Sequence, residues 1–501
     1  MYKLRRIRTY LLLAFGLAIT ALVGRSWAAH EISSASPTQE EATICSPHRV
    51  GGASGEDDER DADLYPVVAY DPSTGRYLAV WLSLRNADSS YDGFDVYGAF
   101  LDRAGRPVSG EFRISDYNSV ARNGLPSVTA GKGEFVVAWA SEEGWCRIYA
   151  QRVTDASDRP DHLLASGSGH RHSPTLGYNP ERDRYALAYV AGDDYLPPTF
   201  FGADTADCGD SPSSTSTIRA AEFFFSGNEG VTGSSLDISD VNGGGFRPRL
   251  AYSRGLRKVL IVWEDRRDAG EETYRFDVYA QPLSGDMNLQ GGDIALATGG
   301  DYANYDTSAT WTPRPAVAGG GNRFLATWFS QDAVDSAMVW SIEGRLISSN
   351  GTAGGVFRVA EMSFAQAHAG QAPTGFLSAV YLTSAEEYLV GMTSQLETVW
   401  GYLSLARIQR LDTGGHLLTM EGTSQSTLGV GHSVDYENDD QIALGLAVNP
   451  VAGIGTADYM AVYAKHQTDQ PAQDFDIWSA RIQMPAPYLK GAYLPFVSLT
   501  R

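Results

Sequence analysis

The chain has 501 residues, 43% of them hydrophobic and 20% charged, with three cysteines and a formal net charge of −21. That length supports a large buried core, and three cysteines are too few to serve as a disulfide framework. The negative field disfavours nucleic acid and anionic lipid as partners.

The first residues read MYKLRRIRTYLLLAFGLAITALVGRSWAA. Lys3, Arg5, Arg6 and Arg8 precede an apolar run from Tyr10 to Gly24, and Ser26 and Ala28 put small residues at the −3 and −1 positions of a cleavage site. The pattern predicts a secretory signal peptide over residues 1–28 and a mature chain that starts near Ala29, outside the cytoplasm and secreted or at the cell surface. No later stretch is apolar for long enough to span a bilayer, so no membrane association is expected once the leader is removed. Residues 29–61 are an acidic segment.

Beyond it one phrase recurs seven times: RYLAVW (76–81), EFVVAW (134–139), RYALAY (184–189), KVLIVW (258–263), RFLATW (323–328), EYLVGM (387–392) and DYMAVY (458–463). A second phrase precedes it, led by proline in PVVAY (66–70), PSVTA (126–130), PTLGY (174–178), PRLAY (248–252) and PAVAG (315–319), and degenerate in LSAVY (377–381) and LGLAV (444–448). A third follows, of the type DVYGAFL (95–101) or DVYAQPL (277–283), and a fourth of the type FRIS, HLLAS, LDIS, DIALA, FRVA or HLLT. All are short, rich in β-branched and aromatic residues and bounded by Gly, Pro, Asp and Asn, which is the signature of strands and turns. Each unit therefore reads as a four-stranded antiparallel meander. The tryptophan phrase is apolar on both faces, as a strand sandwiched between two neighbouring sheets must be.

Seven such sheets packed in a circle make an all-β, seven-bladed β-propeller over residues 62–484, followed by a tail at 485–501. Trp81 to Tyr463 is six steps of about 64 residues, against ~40–50 for compact propeller repeats, and the excess falls in loops. The seventh unit shows only three strands. Its missing outer strand is expected from the N-terminal segment around EATIC (41–45), with the tail AYLPFVSL as the other candidate.

The units resemble a repeat of secreted bacterial β-propeller proteins, of the form P-x-V-A-Y … Y-L-V-V-W … D-V-Y-[GA]-Q. The likeness is clearest in units 1, 2 and 4, as in YLAVW with DVYGAFL and VLIVWEDRR with DVYAQPL. It implies a secreted propeller and assigns no reaction. The ending YLPFVSLTR is similar to endings of exported proteins from environmental bacteria.

In a four-stranded blade, the strand 2–3 loops and the blade-to-blade links share one rim. Here that rim is predicted to carry long segments at 82–94, 190–216, 264–276, 329–338, 393–404 and 464–475, with long links at 297–314 and 420–440. Function on a rigid scaffold gathers in such loops. The rim offers Asp92, Asp193, Asp194, Asp265 and Tyr274. Clustered carboxylates can hold Ca²⁺, although no D-x-D-x-D-G spacing is present and no cofactor is required by any motif. Arg247, Arg249, Arg266, Arg267 and Arg314 stand close to the strand 1 prolines and the blade 4 loop, a candidate anion site. The competing reading pairs them internally with Asp265, Asp268 or Asp277. His170 and His172, two apart in GHRHS, do not by themselves make a metal site.

Cys146 and Cys208 are expected on one rim of adjacent blades, which suits a disulfide, and Cys45 is then the odd thiol. The rival pairing joins Cys45 to either of the others. No G-x-S-x-G, H-E-x-x-H, P-loop or Rossmann fingerprint occurs, and the S-x-D-x-G-x-T-W box of sialidase-like propellers is absent. The leading functional reading is a monomeric, non-catalytic propeller that binds a glycan, a peptide or an extracellular surface protein through the long-loop face. The alternative is a carbohydrate-active hydrolase or lyase that uses rim carboxylates or the arginines.

Overall fold

The computed structural model describes residues 43–44, 47–52, 63–84, 94–115, 122–143, 145–157, 161–166, 169–192, 216–226, 229–239, 244–267, 276–298, 313–334, 337–362, 377–398, 401–418, 427–429, 441–449, 456–466 and 475–485. All of them lie in one compact unit, Ala42–Arg501. Among the described residues every regular element is a strand, and none is a helix long and apolar enough to cross a membrane.

The strands form seven antiparallel sheets. Blade 4 shows the pattern: Gly245–Ser253, Lys258–Asp265, Asp277–Ser284 and Ile294–Ala297 lie side by side in chain order, from the innermost strand to the outermost. The innermost strands of blades 1 to 7 begin at Asp63, Ser127, His170, Gly245, Ala316, Ser378 and Gln441, and each touches the next, blade 7 meeting blade 1. The molecule is a seven-bladed β-propeller.

Burial on both faces of the second strand explains the recurring phrase. In blade 1, Tyr77, Ala79 and Trp81 pack against Met460, Val462 and Ala464 of blade 7. Leu78, Val80 and Leu82, on the opposite face, pack against Phe135, Val137 and Trp139 of blade 2. The phrase-ending residues Trp81, Trp139, Tyr189, Trp263, Trp328, Met392 and Tyr463 are all buried. Each faces the equivalent place of strand 3: Tyr97, Tyr149, Arg219, Tyr279, Glu343, Arg407 and Trp478. The sequence register therefore holds in all seven blades.

The ring is closed from the N-terminal side. Thr43–Ile44 and His48–Gly51 pair antiparallel with Phe475–Pro485, the last strand of blade 7. Arg49 Nη2 reaches the buried Asp476 Oδ1 at 2.7 Å, and Val50 joins the core shared by blades 7 and 1. A Cβ on Gly51 would lie 2.5 Å from Cζ2 of Trp81, so the closing strand needs glycine there to approach the ring. Residues 486–501 lie outside the described ones.

Two expected rim loops are strands instead. Arg323–Val334 pairs with Ala337–Ser348, and Glu387–Thr398 with Gly401–Asp412. An antiparallel ladder requires only backbone pairing, which each hairpin supplies internally. HLLT (416–419) is not the fourth strand of blade 6, which is Thr427–Gly429. Leu417 bridges back to Leu411, as Pro107, Leu289 and Ala353 bridge to Leu101, Leu283 and Ile347, so the apolar pair serves a turn that several blades share.

Candidate functional site

The centre of the propeller is built from one repeat position. The residue that pairs with the one preceding the tryptophan is Val67, Ser127, Thr175, Arg249, Ala316, Ser378 and Gly445 in blades 1 to 7. Where it is a hydroxyl, it ties blade to blade. Ser127 Oγ accepts from Leu176 N (3.0 Å), Thr175 Oγ1 from Leu250 N (3.3 Å) and Ser378 Oγ from Leu446 N (3.2 Å). These bonds satisfy backbone donors that no sheet ladder reaches across the blade boundary. At Gly445 the blades come so close that a Cβ would lie 2.8 Å from the Pro66 carbonyl.

All seven innermost strands line a central cavity of about 210 Å³. Its walls are mostly Val, Leu, Ala and Pro, with hydroxyls from Tyr65, Ser173 and the ring position. Among the described lining residues Arg249, partly buried, is the charged side chain, and none is a carboxylate. Its Nη1 donates to the Pro248 carbonyl at 3.0 Å.

The mouth is shaped by an unusual backbone. Tyr65, Ser173, Arg247 and Arg314 each precede the strand 1 proline, and each has a positive φ, between 42° and 55°. Such a conformation costs on the order of 1–3 kcal/mol at a non-glycine residue. In blades 1, 3 and 4 the ladder slips there, between Leu64 and Val67, His172 and Thr175, and Phe246 and Arg249. The slip is a bulge. It places a proline, which has no N–H to give, where the ladder asks for none.

Blade 4 fills this frame with charge. The residue after the strand 2 tryptophan position is Leu82, Ala140, Val190, Phe329, Thr393 and Ala464 in the other blades, and Glu264 in blade 4. Glu264 is fully buried. Its Oε2 lies 3.0 Å from Arg247 Nη1, and its Oε1 accepts from the backbone N of Arg314 at 2.6 Å. Arg247 and Arg314 are buried with it.

The five arginines singled out in the sequence therefore divide. Arg247 Nη1 and the backbone N of Arg314 meet Glu264, and Arg249 lies on the cavity wall against the Pro248 carbonyl. Arg267 turns away, its Nη2 2.7 Å from both Asp265 and Asp293 and its guanidinium over the Tyr279 ring at 3.9 Å. Burial opposes its charge, but the hydrogen bonds to the two carboxylates outweigh that and hold its pKa above the ordinary value. Arg266 lies over Phe276 at 5.7 Å. Asp265 also accepts from Trp263 Nε1 at 2.8 Å, so it fastens the tryptophan layer. Internal pairing thus accounts for Arg267 and Asp265. Glu264 and Asp293 do work that the sequence reading had given to neighbouring aspartates. Glu264 can be found by aligning the repeats, since a carboxylate breaks an otherwise uncharged column. Asp293 sits in a turn with no column to break.

Asp92, Asp193, Asp194, Tyr274 and Cys208 lie outside the described residues. Cys146 is a buried free thiol on strand 3 of blade 2, whose ladder with strand 2 runs on to Glu143 opposite Trp145. Its backbone N donates to Nδ1 of the buried His170 at 3.2 Å, and His172 Nδ1 meets Ser173 Oγ at 2.9 Å. His170 satisfies a backbone donor, and the buried His172 is engaged by the neighbouring hydroxyl. Among the described residues no three His, Cys, Asp or Glu side chains come together as a metal site.

No protein-family model and no curated protein matches the chain. Among solved structures, the NanB sialidase of Streptococcus pneumoniae is similar at 9% identity and TM-score 0.44, over 87% of this chain and 70% of that one. Trypanosoma rangeli sialidase is similar at 8% and 0.40, over 76% of this chain and 57% of that one. An α-L-arabinofuranosidase from Lactobacillus brevis stands at 10% and 0.35, over 62% and 96%. Likenesses this distant assign no function, and the propeller rests on the strand order above.

Proposed function

We propose that the chain is an extracellular, non-catalytic binding propeller whose ligand, a glycan or peptide displayed on a partner or surface, is received at the central mouth and the rim around it. The carrying observation is the break in the repeat at the centre: a column of small or uncharged residues becomes Arg249 in blade 4 alone, on the wall of a cavity lined by all seven blades. Among the described residues the cavity wall carries an arginine and no carboxylate, which supports recognition over hydrolysis, a reaction that calls for two carboxylates about 5–10 Å apart. The leader sequence supports export, and N-terminal sequencing of the exported protein should begin at or near Ala29.

The test is a glycan and peptide array probed with the mature protein and with its Arg249→Gln variant. Retention of specific features that fade in the variant is the expected result. A blank array, or release of new reducing ends from a polysaccharide panel, would end the reading.

A further inference from the structure

We infer that the propeller has a second binding site, between blades 5 and 6, and that it takes a neutral sugar residue. This site lies on the face of the strand 1–2 and 3–4 turns, opposite the long rim loops, and does not depend on the central cavity. Four of the 3–4 turns share one hydrogen-bonded form. The N–H groups of Asp102, Ser284, Ser348 and Asp412 donate to the carbonyl four residues on, and those of Gly105, Met287, Gly351 and Gly415 donate back to these same residues. In three of the four turns, a side chain of the preceding blade fastens the turn. Ser479 Oγ of blade 7 gives to the Gly105 carbonyl at 2.7 Å, Asn179 Nδ2 of blade 3 to Gly285 at 2.9 Å, and Lys258 Nζ of blade 4 to Ser349 at 2.6 Å. Where blade 4 meets blade 3, Gly285 and Met287 leave a void of only about 10 Å³.

The blade 6 turn departs from this pattern. Among the described residues it receives no such donor from blade 5. Arg323 opens strand 2 of blade 5 as Lys258 opens strand 2 of blade 4. Its exposed guanidinium makes no hydrogen bond or ion pair among the described residues, and Tyr388 engages only its backbone carbonyl. Where blade 4 has Asp286 and Met287, blade 6 has Gly414 and Gly415. The junction opens into a cavity of about 330 Å³, whose walls include Arg323, Leu346, Thr352, Gly355, Phe357 and Gly414. That volume falls within the ~300–1,000 Å³ of small-molecule sites.

The lining sets the chemistry. Phe357 and Leu346 supply an apolar wall for the C–H face of a pyranose ring. The Arg323 guanidinium is a planar set of donors, and the Thr352 hydroxyl both gives and accepts. Adjacent sugar hydroxyls answer both, because each is itself a donor and an acceptor. An acid fits less well. Asp412 Oδ1 lies 3.1 Å from where a Cβ on Gly414 would stand, so a carboxylate already borders the cavity, in a chain of net charge −21. The glycines keep the space clear: a Cβ on Gly355 would meet nothing within 4 Å.

Saturation-transfer NMR on the mature protein tests this at millimolar probe concentration. The probes are the methyl glycosides of D-glucose, D-galactose and D-mannose and N-acetyl-D-glucosamine, with D-glucuronate and N-acetylalanine amide as controls. At least one neutral sugar should show transfer, with both controls at least tenfold weaker. Gly355→Phe places a ring in the open space and should abolish the signal at the parent melting temperature. Arg323→Gln should weaken it at least tenfold, also without a change in melting temperature, since Tyr388 keeps its backbone acceptor. Arg249→Gln should leave it unchanged. No transfer from any sugar, equal transfer from glucuronate or the amide, or a signal that survives both blade 5 variants would overturn the inference. A signal lost in Arg249→Gln and kept in the blade 5 variants would also overturn it, while supporting the central reading.

Discussion

The two ends of the central strands are organised on opposite principles. At the strand 1–2 turns a tyrosine latch recurs, joining blade 3 to blade 2 and blade 6 to blade 5. Tyr185 of blade 3 donates to Glu134 of blade 2 at 2.6 Å, with its hydroxyl over Gly131. Tyr388 of blade 6 donates to the Arg323 carbonyl of blade 5 at 2.8 Å, with its hydroxyl over Gly320. Both hydroxyls reach from strand 2 into the preceding blade's turn, and burial holds both pKa values above the ordinary tyrosine range. At the opposite mouth the equivalent strands of blade 4 carry Glu264 and Arg249, which no other blade repeats, beside Arg247, whose position Arg314 takes in blade 5. What recurs seven times is what closing a ring demands. What occurs once, buried and charged, is not asked for by the ring, and burying charge is expensive unless it is paired.

The largest effect should come from the recurring layer. Trp263 is fully buried, and Trp263→Ala should cost about 3–5 kcal/mol in chemical denaturation. A loss below about 1 kcal/mol would mean that the layer does not hold the blades together.

The singular charges should behave differently. Glu264→Ala leaves Arg247 buried without its carboxylate and should cost about 3–5 kcal/mol. The double change Arg247→Ser with Glu264→Gln restores the residue that blade 3 carries before its proline, Ser173, and keeps an acceptor for the Arg314 amide. It removes a buried ion pair as a unit and should be tolerated far better than the single change. If the double variant is as damaged as Glu264→Ala, the charges are part of the scaffold and the contrast between the two ends fails.

These two tests also mark what the sequence made legible. Blade count, strand register and the tryptophan layer follow from periodicity, because each blade repeats the same burial on both faces. The N-terminal closing strand could be inferred only because unit 7 falls one strand short. The long hairpins of blades 5 and 6 were hidden because their ladders rest on backbone pairing, which leaves no fixed pattern in the sequence. At the mouth, the five arginines beside the strand 1 prolines and the blade 4 loop looked equivalent. Only the bulge at Pro248 sets Arg247 against Glu264 and Arg249 on the cavity wall, and only the outer turn at Asp293 pulls Arg267 away. A one-residue slip in register decides which side a side chain faces, and composition cannot report it.

A smaller effect tests the latch. Tyr388→Phe removes one hydroxyl and leaves the Arg323 carbonyl without that donor, for a loss of about 0.5–1.5 kcal/mol. Native-state hydrogen exchange should show the change concentrated where blades 5 and 6 meet. Uniform loss of protection around the ring would mean that the hydroxyl latches nothing local.

The smallest effect lies at the outer edge, away from both ends, at His162 on the outer strand of blade 2. Its ring is 5.5 Å from that of Phe225 in blade 3. Burial lowers its pKa below the usual 6.5, and the nearby Glu229 opposes the shift only in part. The sign follows from linkage. Below about pH 6.5 the unfolded chain takes up a proton that the folded chain resists, so stability present above that pH is lost as pH falls through the folded pKa. His162→Gln removes this dependence. Between pH 7.5 and 5.5, on the order of one unit either side of 6.5, the parent's melting temperature should fall relative to that of the variant. The side chain is only partly buried, so the relative change should be a small one. Parallel melting curves across that range would show that the packing of blade 2 on blade 3 does not depend on the protonation of this histidine.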